Sequence, residues 1–215
     1  MTEDRITRVV VAVVAEAIRE ADANGVVLAS SPRPETALLE RWFAAAAITV
    51  EIPDAEVVRA VADTLEASLG GDASEAVARS NEEAHRAVAR VIANREELIP
   101  VSAANKTELI WAERLPPEPL LPLGDLYASQ IHALAGACTA PPPLVDIEPD
   151  RLRAVDKAIA QVVEDGVRPD VAFVELPSEL RDAAFSAMHR SAWKGILPPV
   201  VPKLSRRTLG VDLEL

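Results

Sequence analysis

GVVLASSPRPETALL, residues Gly25 to Leu39, is the stretch on which the fold turns. Val26–Ser30 is a short apolar run that reads as a strand buried on both faces. Pro34 suits the first turn of a helix, and Leu38, Leu39 and Phe43 give that helix an apolar face. A strand, a tight turn and a helix in that order form half of a βαβ unit. In front of it, Asn24-Gly25 ends an earlier helix over 5–22. There Ile6, Val9, Val10, Val13, Val14, Ala17 and Ile18 recur at helical spacing.

Working outward, Ile48–Ile52 reads as a second buried strand, and Pro53 opens a helix over 54–68. Gly70-Gly71 breaks the chain before a long Ala-rich helix from about 74 to 94. Leu98–Ser102 is the third strand candidate. Asn105–Glu113 is helical, 114–124 is a loop carrying four prolines, and Asp125 is placed to cap a helix running to about Ala135. Pro141–Pro143 is a stiff connector, a helix follows from Pro149 to Glu164, and short helices lead into a Pro-rich tail. Short apolar strands separated by helices predict an α/β fold: a doubly wound, Rossmann-like parallel sheet flanked by helices. Three strands are few for that architecture, so the sheet is a reduced one.

Composition narrows the function classes. The chain has 215 residues, the size of one domain, and 17 Pro against 8 Gly reverses the usual order of the two. Lys and Arg number 22 against 34 Asp and Glu, giving a net charge of −12. That argues against nucleic acid or an anionic membrane as the main partner, because both reward a basic face. A local cluster of donors for a small anion remains compatible with it. A hydrophobic share of 49% with 26% charged residues excludes a disordered chain. The longest apolar run, in the first helix, is cut by Glu16 and Arg19, so no membrane span is expected. MTEDRITR does not read as a secretory signal, and a cytoplasmic location is expected. A lone Cys138 allows neither a disulfide framework nor a cysteine zinc cluster. His85, His132 and His189 lack metal-ligand spacing, and no GxSxG context surrounds Ser30, Ser31 or Thr36.

Open α/β sheets bind ligands beyond the carboxyl ends of their strands, which here means the turn Ser30–Glu35. A phosphate-binding turn needs glycines, so that backbone N–H groups can approach the oxygens. This turn has none after Gly25, and Pro32 and Pro34 carry no N–H. Taken alone, it is an ordinary stiff connection into a helix.

Four segments nevertheless resemble the bacterial NAD synthetases, members of the N-type ATP pyrophosphatases. Gly25–Leu39 lines up without a gap on that family's strand, SGGxDS loop and helix. Ser31 matches the first Ser, Glu35 the Asp and Thr36 the last Ser. SAANKTEL (Ser102–Leu109) is similar to the family's TGNKSEL, and PLGDLYASQ (Pro122–Gln130) to its PLGDLYKTQ. WKGILPPVVPKLSRRTLG (Trp193–Gly210) resembles the YKRRQAPPGLKVSxRxFG tail of the glutamine-dependent branch. Leu152–Ala172 is similar to the helix before that tail, which implies a turn or short helix over 170–175. The resemblance covers most of the chain. It implies one synthetase-like domain over 1–215, of the adenine nucleotide alpha hydrolase-like kind, with no glutaminase domain.

The resemblance also implies chemistry. Such enzymes adenylate the carboxylate of nicotinic acid adenine dinucleotide with ATP and magnesium, and ammonia then displaces AMP. By this likeness Ser31, Arg33 and Thr36 are the ATP and phosphate candidates, and Asn105, Lys106 and Lys194 the substrate candidates. Glu35 and Glu108 are the magnesium candidates, carboxylates being the hard oxygen ligands that ion prefers. As plain helix-start acids, the same two residues would instead be solvated groups favouring the helix dipole. Family members are typically homodimers, and the Ala-rich 74–94 helix suits close helix packing.

Several positions depart from the family. Pro32 and Arg33 stand where the two cradle glycines belong. Ala128 replaces the Lys that contacts ATP phosphate, removing a charge-assisted bond. The shorter AERLPPEPLL (Ala112–Leu121) replaces a glycine-aspartate loop. Gly195 replaces the Arg after the tail lysine. Between Ala46 and ITVEIP, the segment that would hold a further strand is missing. The expectation is a catalytically degenerate homologue that keeps a homodimeric scaffold and a possible nucleotide or dinucleotide ligand. The alternative is an active ammonia-dependent enzyme, using ATP and Mg, in which Arg33 supplies the phosphate contact through its bidentate fork. An amidotransferase of another substrate fits the shortened loops, with no residue that points to it.

Overall fold

A computed structural model describes residues 2–29, 33–67, 73–112, 116–141, 144, 147–190, 201–202 and 204. For 73–76, 78, 79 and 190 it describes the backbone alone. Helix α1 (Glu3–Glu20) buries Ile6, Val10 and Val14 along one stripe. It is followed by β1 (Gly25–Leu28), α2 (Pro34–Ala45), β2 (Val50–Glu51), α3 (Ala55–Glu66), α4 (Ala73–Glu96) and β3 (Leu98–Val101). The three strands are parallel, in the order β2-β1-β3. Val26 is in register with Val50 on one side and with Ile99 on the other.

The central strand is packed on both faces, as its unbroken apolar run requires. Val26 and Leu28 meet Leu38, Leu39 and Phe43 of α2 and the α1 stripe. Val27 and Ala29 face Ala89 and Ala93 of α4, together with Leu98. The small alanines let α4 lie close on the sheet. α3 packs on α4 through Val58, Ala62 and Ala84, and its N-terminus is capped by the Asp54 carboxylate accepting from Glu56 N and Val57 N. Gly25 marks a close approach: a Cβ there would sit 2.5 Å from the Thr49 carbonyl oxygen, which already accepts from Val26 N.

The sheet is the reduced one that the sequence led us to expect. β2 is shorter than Ile48–Ile52 because Ile48 N donates to Phe43 O in the turn closing α2, and Pro53 has no N–H to offer. After β3 come α5 (Lys106–Trp111), α6 (Ala128–Ala135), α7 (Pro149–Val163), α8 (Pro169–Ala172) and α9 (Ser178–Arg190). They share a second core around Ile110, Leu121, Val155, Ile159 and Phe173, with Phe173 edge-on to Phe185 at 5.3 Å between ring centres. α8 supplies the short helix expected near 170–175. One expectation fails: α6 begins at Ala128, and Asp125 does not cap it. Gln130 Oε1 accepts from Tyr127 N at that helix start, while Asp125 turns inward to a buried lysine.

Candidate functional site

The turn after β1 leads into α2 with Arg33 as N-cap and Pro34 in the first turn. Glu35 and Thr36 are both buried there. Across the top of the sheet, α5 begins with Asn105 as N-cap in a reciprocal capping box. Asn105 Oδ1 accepts from Glu108 N, and the Glu108 carboxylate accepts from Asn105 N. That box is why NKTEL opens a helix, and it aims Glu108 back toward Arg33.

The structure brings Arg33, Glu35, Asn105 and Glu108 into one cluster. Arg33 Nη1 and Nη2 donate to the two Glu108 oxygens at 2.6 and 3.2 Å, a bidentate fork. Its Nε lies 3.7 Å from Glu35 Oε2. The Glu35 side chain is wholly enclosed, and its Oε1 accepts from Asn105 Nδ2 at 3.2 Å and Thr139 N at 2.7 Å. Its Oε2 accepts from the Thr139 hydroxyl at 2.9 Å, and Asn105 Nδ2 also donates to Thr139 O. The reading of Glu35 as a solvated helix-start acid is therefore overturned. Burial raises the Glu108 carboxyl above its ordinary range, while Arg33 and the Asn105 N–H act in the opposite direction. Cys138, beside this cluster, is pushed up to about 11 by burial first and then by Glu35, which favours the protonated thiol.

Lys106, the next residue along, points the other way. Its ammonium is fully enclosed, donating to Asp125 Oδ1 at 2.9 Å and Glu164 Oε1 at 3.1 Å, and lies 4.9 Å from the centre of the Tyr127 ring. Tyr127 OH donates to the same Glu164 oxygen, and the other Asp125 oxygen accepts from Leu204 N. Thr107 joins a third carboxylate, donating to Asp156 and accepting from Ala128 N. Asp156 also accepts from Ser129 N, and burial raises its carboxyl. Ala128, where the resemblance expects a phosphate-contacting lysine, is itself buried.

Ser31 and Lys194 lie outside the described residues, so the candidate set is joined only in part. Sequence reading missed Thr139, Glu164, Asp156 and Tyr127, which complete these clusters. The available cue was the apolar setting of Asp125 in PLGDLY, since a charge flanked by core leucines needs a buried partner. A cleft of about 800 Å³ opens beside the partners of Lys106, lined by Arg153 and Lys157 of α7 and by Glu164 just past its end.

Magnesium at this place would need lone pairs on Glu35 and Glu108. They do not fit that role as arranged, because the oxygens are already held by Arg33, Asn105 and Thr139. Among the described residues, no group of three or more His, Cys, Asp or Glu side chains is placed to hold a metal ion. No helix among them is long and apolar enough to cross a membrane.

The fold is thus a reduced, Rossmann-like α/β sheet of the NAD synthetase kind, with a polar cluster at the carboxyl end of its central strand. It is similar to an ammonia-dependent NAD synthetase from Campylobacter jejuni, solved in complex with the nitrate ion. The TM-score is 0.65 at 16% identity, over 93% of this chain and 99% of that one. A glutamine-dependent NAD+ synthetase from Acinetobacter baumannii, solved with ADP, is matched at 13% identity and a TM-score of 0.46, over 99% of this chain and 49% of that one. No protein-family model and no curated protein sequence matches the chain.

Proposed function

We propose that this chain is an NAD synthetase-like scaffold that has lost ATP-dependent amide ligation. One observation carries the reading: among the described residues, the charged groups that the resemblance offers to ligands are already held by partners within the chain. Arg33 holds Glu108, Asn105 and Thr139 hold Glu35, and Asp125 and Glu164 hold Lys106. Catalysis of adenylyl transfer needs donors and cations aimed at charge that develops on the substrate. Groups already neutralised internally give no such preference to a transition state. For Arg33 to grip phosphate, as the active alternative requires, its fork must first leave Glu108 uncompensated.

The scaffold reading includes a homodimer. Members of the resembled family are typically homodimers, and sedimentation at micromolar concentration tests whether this chain is one. A nucleotide or dinucleotide remains the ligand class to test, with ATP and Mg as the pair an active enzyme would need. Melting with millimolar ATP-Mg, and separately with nicotinic acid adenine dinucleotide, reads binding directly, since a ligand of the native state raises Tm. No rise with ATP-Mg is the expected result. A rise of several degrees that disappears in Glu108→Gln would restore the active reading.

A further inference from the structure

We infer that Arg33 is a built-in cation, seated between Glu35 and Glu108 in the position a divalent ion would otherwise occupy, and that it makes this corner of the fold independent of metal. The inference shares its cluster with the proposed loss of function but makes a separate claim about what binds there.

Glu35 and Glu108 come from different helices and are 73 residues apart in sequence. Folding brings both carboxylates against one guanidinium, two oxygens of Glu108 on its Nη atoms and Glu35 Oε2 on its Nε side. Two like charges drawn out of water repel and need a counter-charge. Arg33 has its planar fork in place and is only 17% exposed, so bulk cations have little access to the pair. A guanidinium brings one positive charge to two negative ones. Glu35 makes up the difference with neutral donors from Asn105 and Thr139. This division of labour explains why Glu35 tolerates complete enclosure while Glu108 takes the direct fork. Removing the guanidinium would leave two hard carboxylates facing a solvent-connected gap. Divalent ions of the magnesium and manganese type bind such sites, through one or two carboxylates and several waters.

The test uses Mn2+ alone as probe, on the full chain and on Arg33→Ala, Arg33→Gln and Arg33→Lys. Wild type should show no Mn2+ site dependent on Glu108 by electron paramagnetic resonance titration, and its Tm should not respond to a chelator. R33A should melt roughly 5–10 °C lower in metal-free buffer, having lost a partly buried pairing. Millimolar Mn2+ should restore a large part of that loss and appear as a bound ion. R33K, which keeps the charge, should gain no site. Adding Glu108→Gln to R33A should abolish the bound ion. If R33A does not fold even with Mn2+, R33Q decides the matter, since its neutral amide still fills part of the space. A folded R33A or R33Q that binds no Mn2+ would overturn the inference, as would a wild-type chain that binds Mn2+ through Glu108. Neither result bears on whether ATP binds, so the proposed function stands or falls separately.

Discussion

Asn105 and Lys106 are neighbours in sequence, yet they belong to two polar clusters with opposite characters. On one side, a loop arginine at the rim of the sheet faces one enclosed carboxylate, Glu35, and one that remains partly accessible, with Glu108 18% exposed. On the other, a lysine that solvent does not reach is locked between Asp125 and Glu164 beneath the Tyr127 ring. The first cluster is an edge arrangement in which the cation comes from the turn that departs most from the family pattern. The second is part of the core, built from residues on three separate elements. Neighbouring residues of one motif can thus serve the rim or the core, according to which side of the helix start each side chain leaves.

Lys106 provides the largest test of that contrast. Lys106→Ala strands two carboxylates in a buried site and should cost about 3–5 kcal/mol, read as a large drop in denaturation midpoint. Glu108→Gln breaks a partly buried fork but leaves Glu35 as counter-charge to Arg33 and keeps an acceptor for the Asn105 N–H, and should cost about 1–2 kcal/mol. Equal losses in the two variants would erase the distinction between core and rim.

Much of the fold is legible in the sequence. The apolar runs at Val26 and Leu98 read as strands because they are short, rich in β-branched side chains and bounded by turn or helix-end signals, whereas the longer apolar run of α1 continues at helical spacing. The α1 stripe and the Pro34 start followed from helical period and first-turn chemistry. The clusters were less legible, because hydrogen-bond partners separated by 104 residues, such as Glu35 and Thr139, leave no local pattern. Asp125 misleads for the same reason. Its spacing before Ala128 looks like a helix cap, and only the position of Lys106 in space shows why it turns inward. Lys106 read as a substrate group because its motif matched. Its burial depends on Glu164, 58 residues further on.

A smaller effect separates the sheet half from its helical cover. His85 on α4 is buried, its Nδ1 has no hydrogen-bond partner among the described residues, and burial lowers its pKa from the usual value. A lowered native value means the neutral ring is the one that fits. Stability from this residue is therefore complete above the unfolded value of about 6.5 and is lost as pH falls through it toward the native one. Raised carboxyls such as Asp156 act in the opposite sense, so the comparison between variants isolates the histidine. Thermal melts of His85→Gln should show a flatter slope than wild type between about pH 7 and pH 5. An unchanged slope would assign the acid sensitivity to other groups.

The most direct measurement is turnover by the unmodified chain, supplied with nicotinic acid adenine dinucleotide, ATP, magnesium and ammonium and followed by NAD formation. The expected result is no NAD above the enzyme-free control. NAD formation that depends on the protein and is lost in Glu108→Gln would contradict the claim that these groups now serve the fold alone.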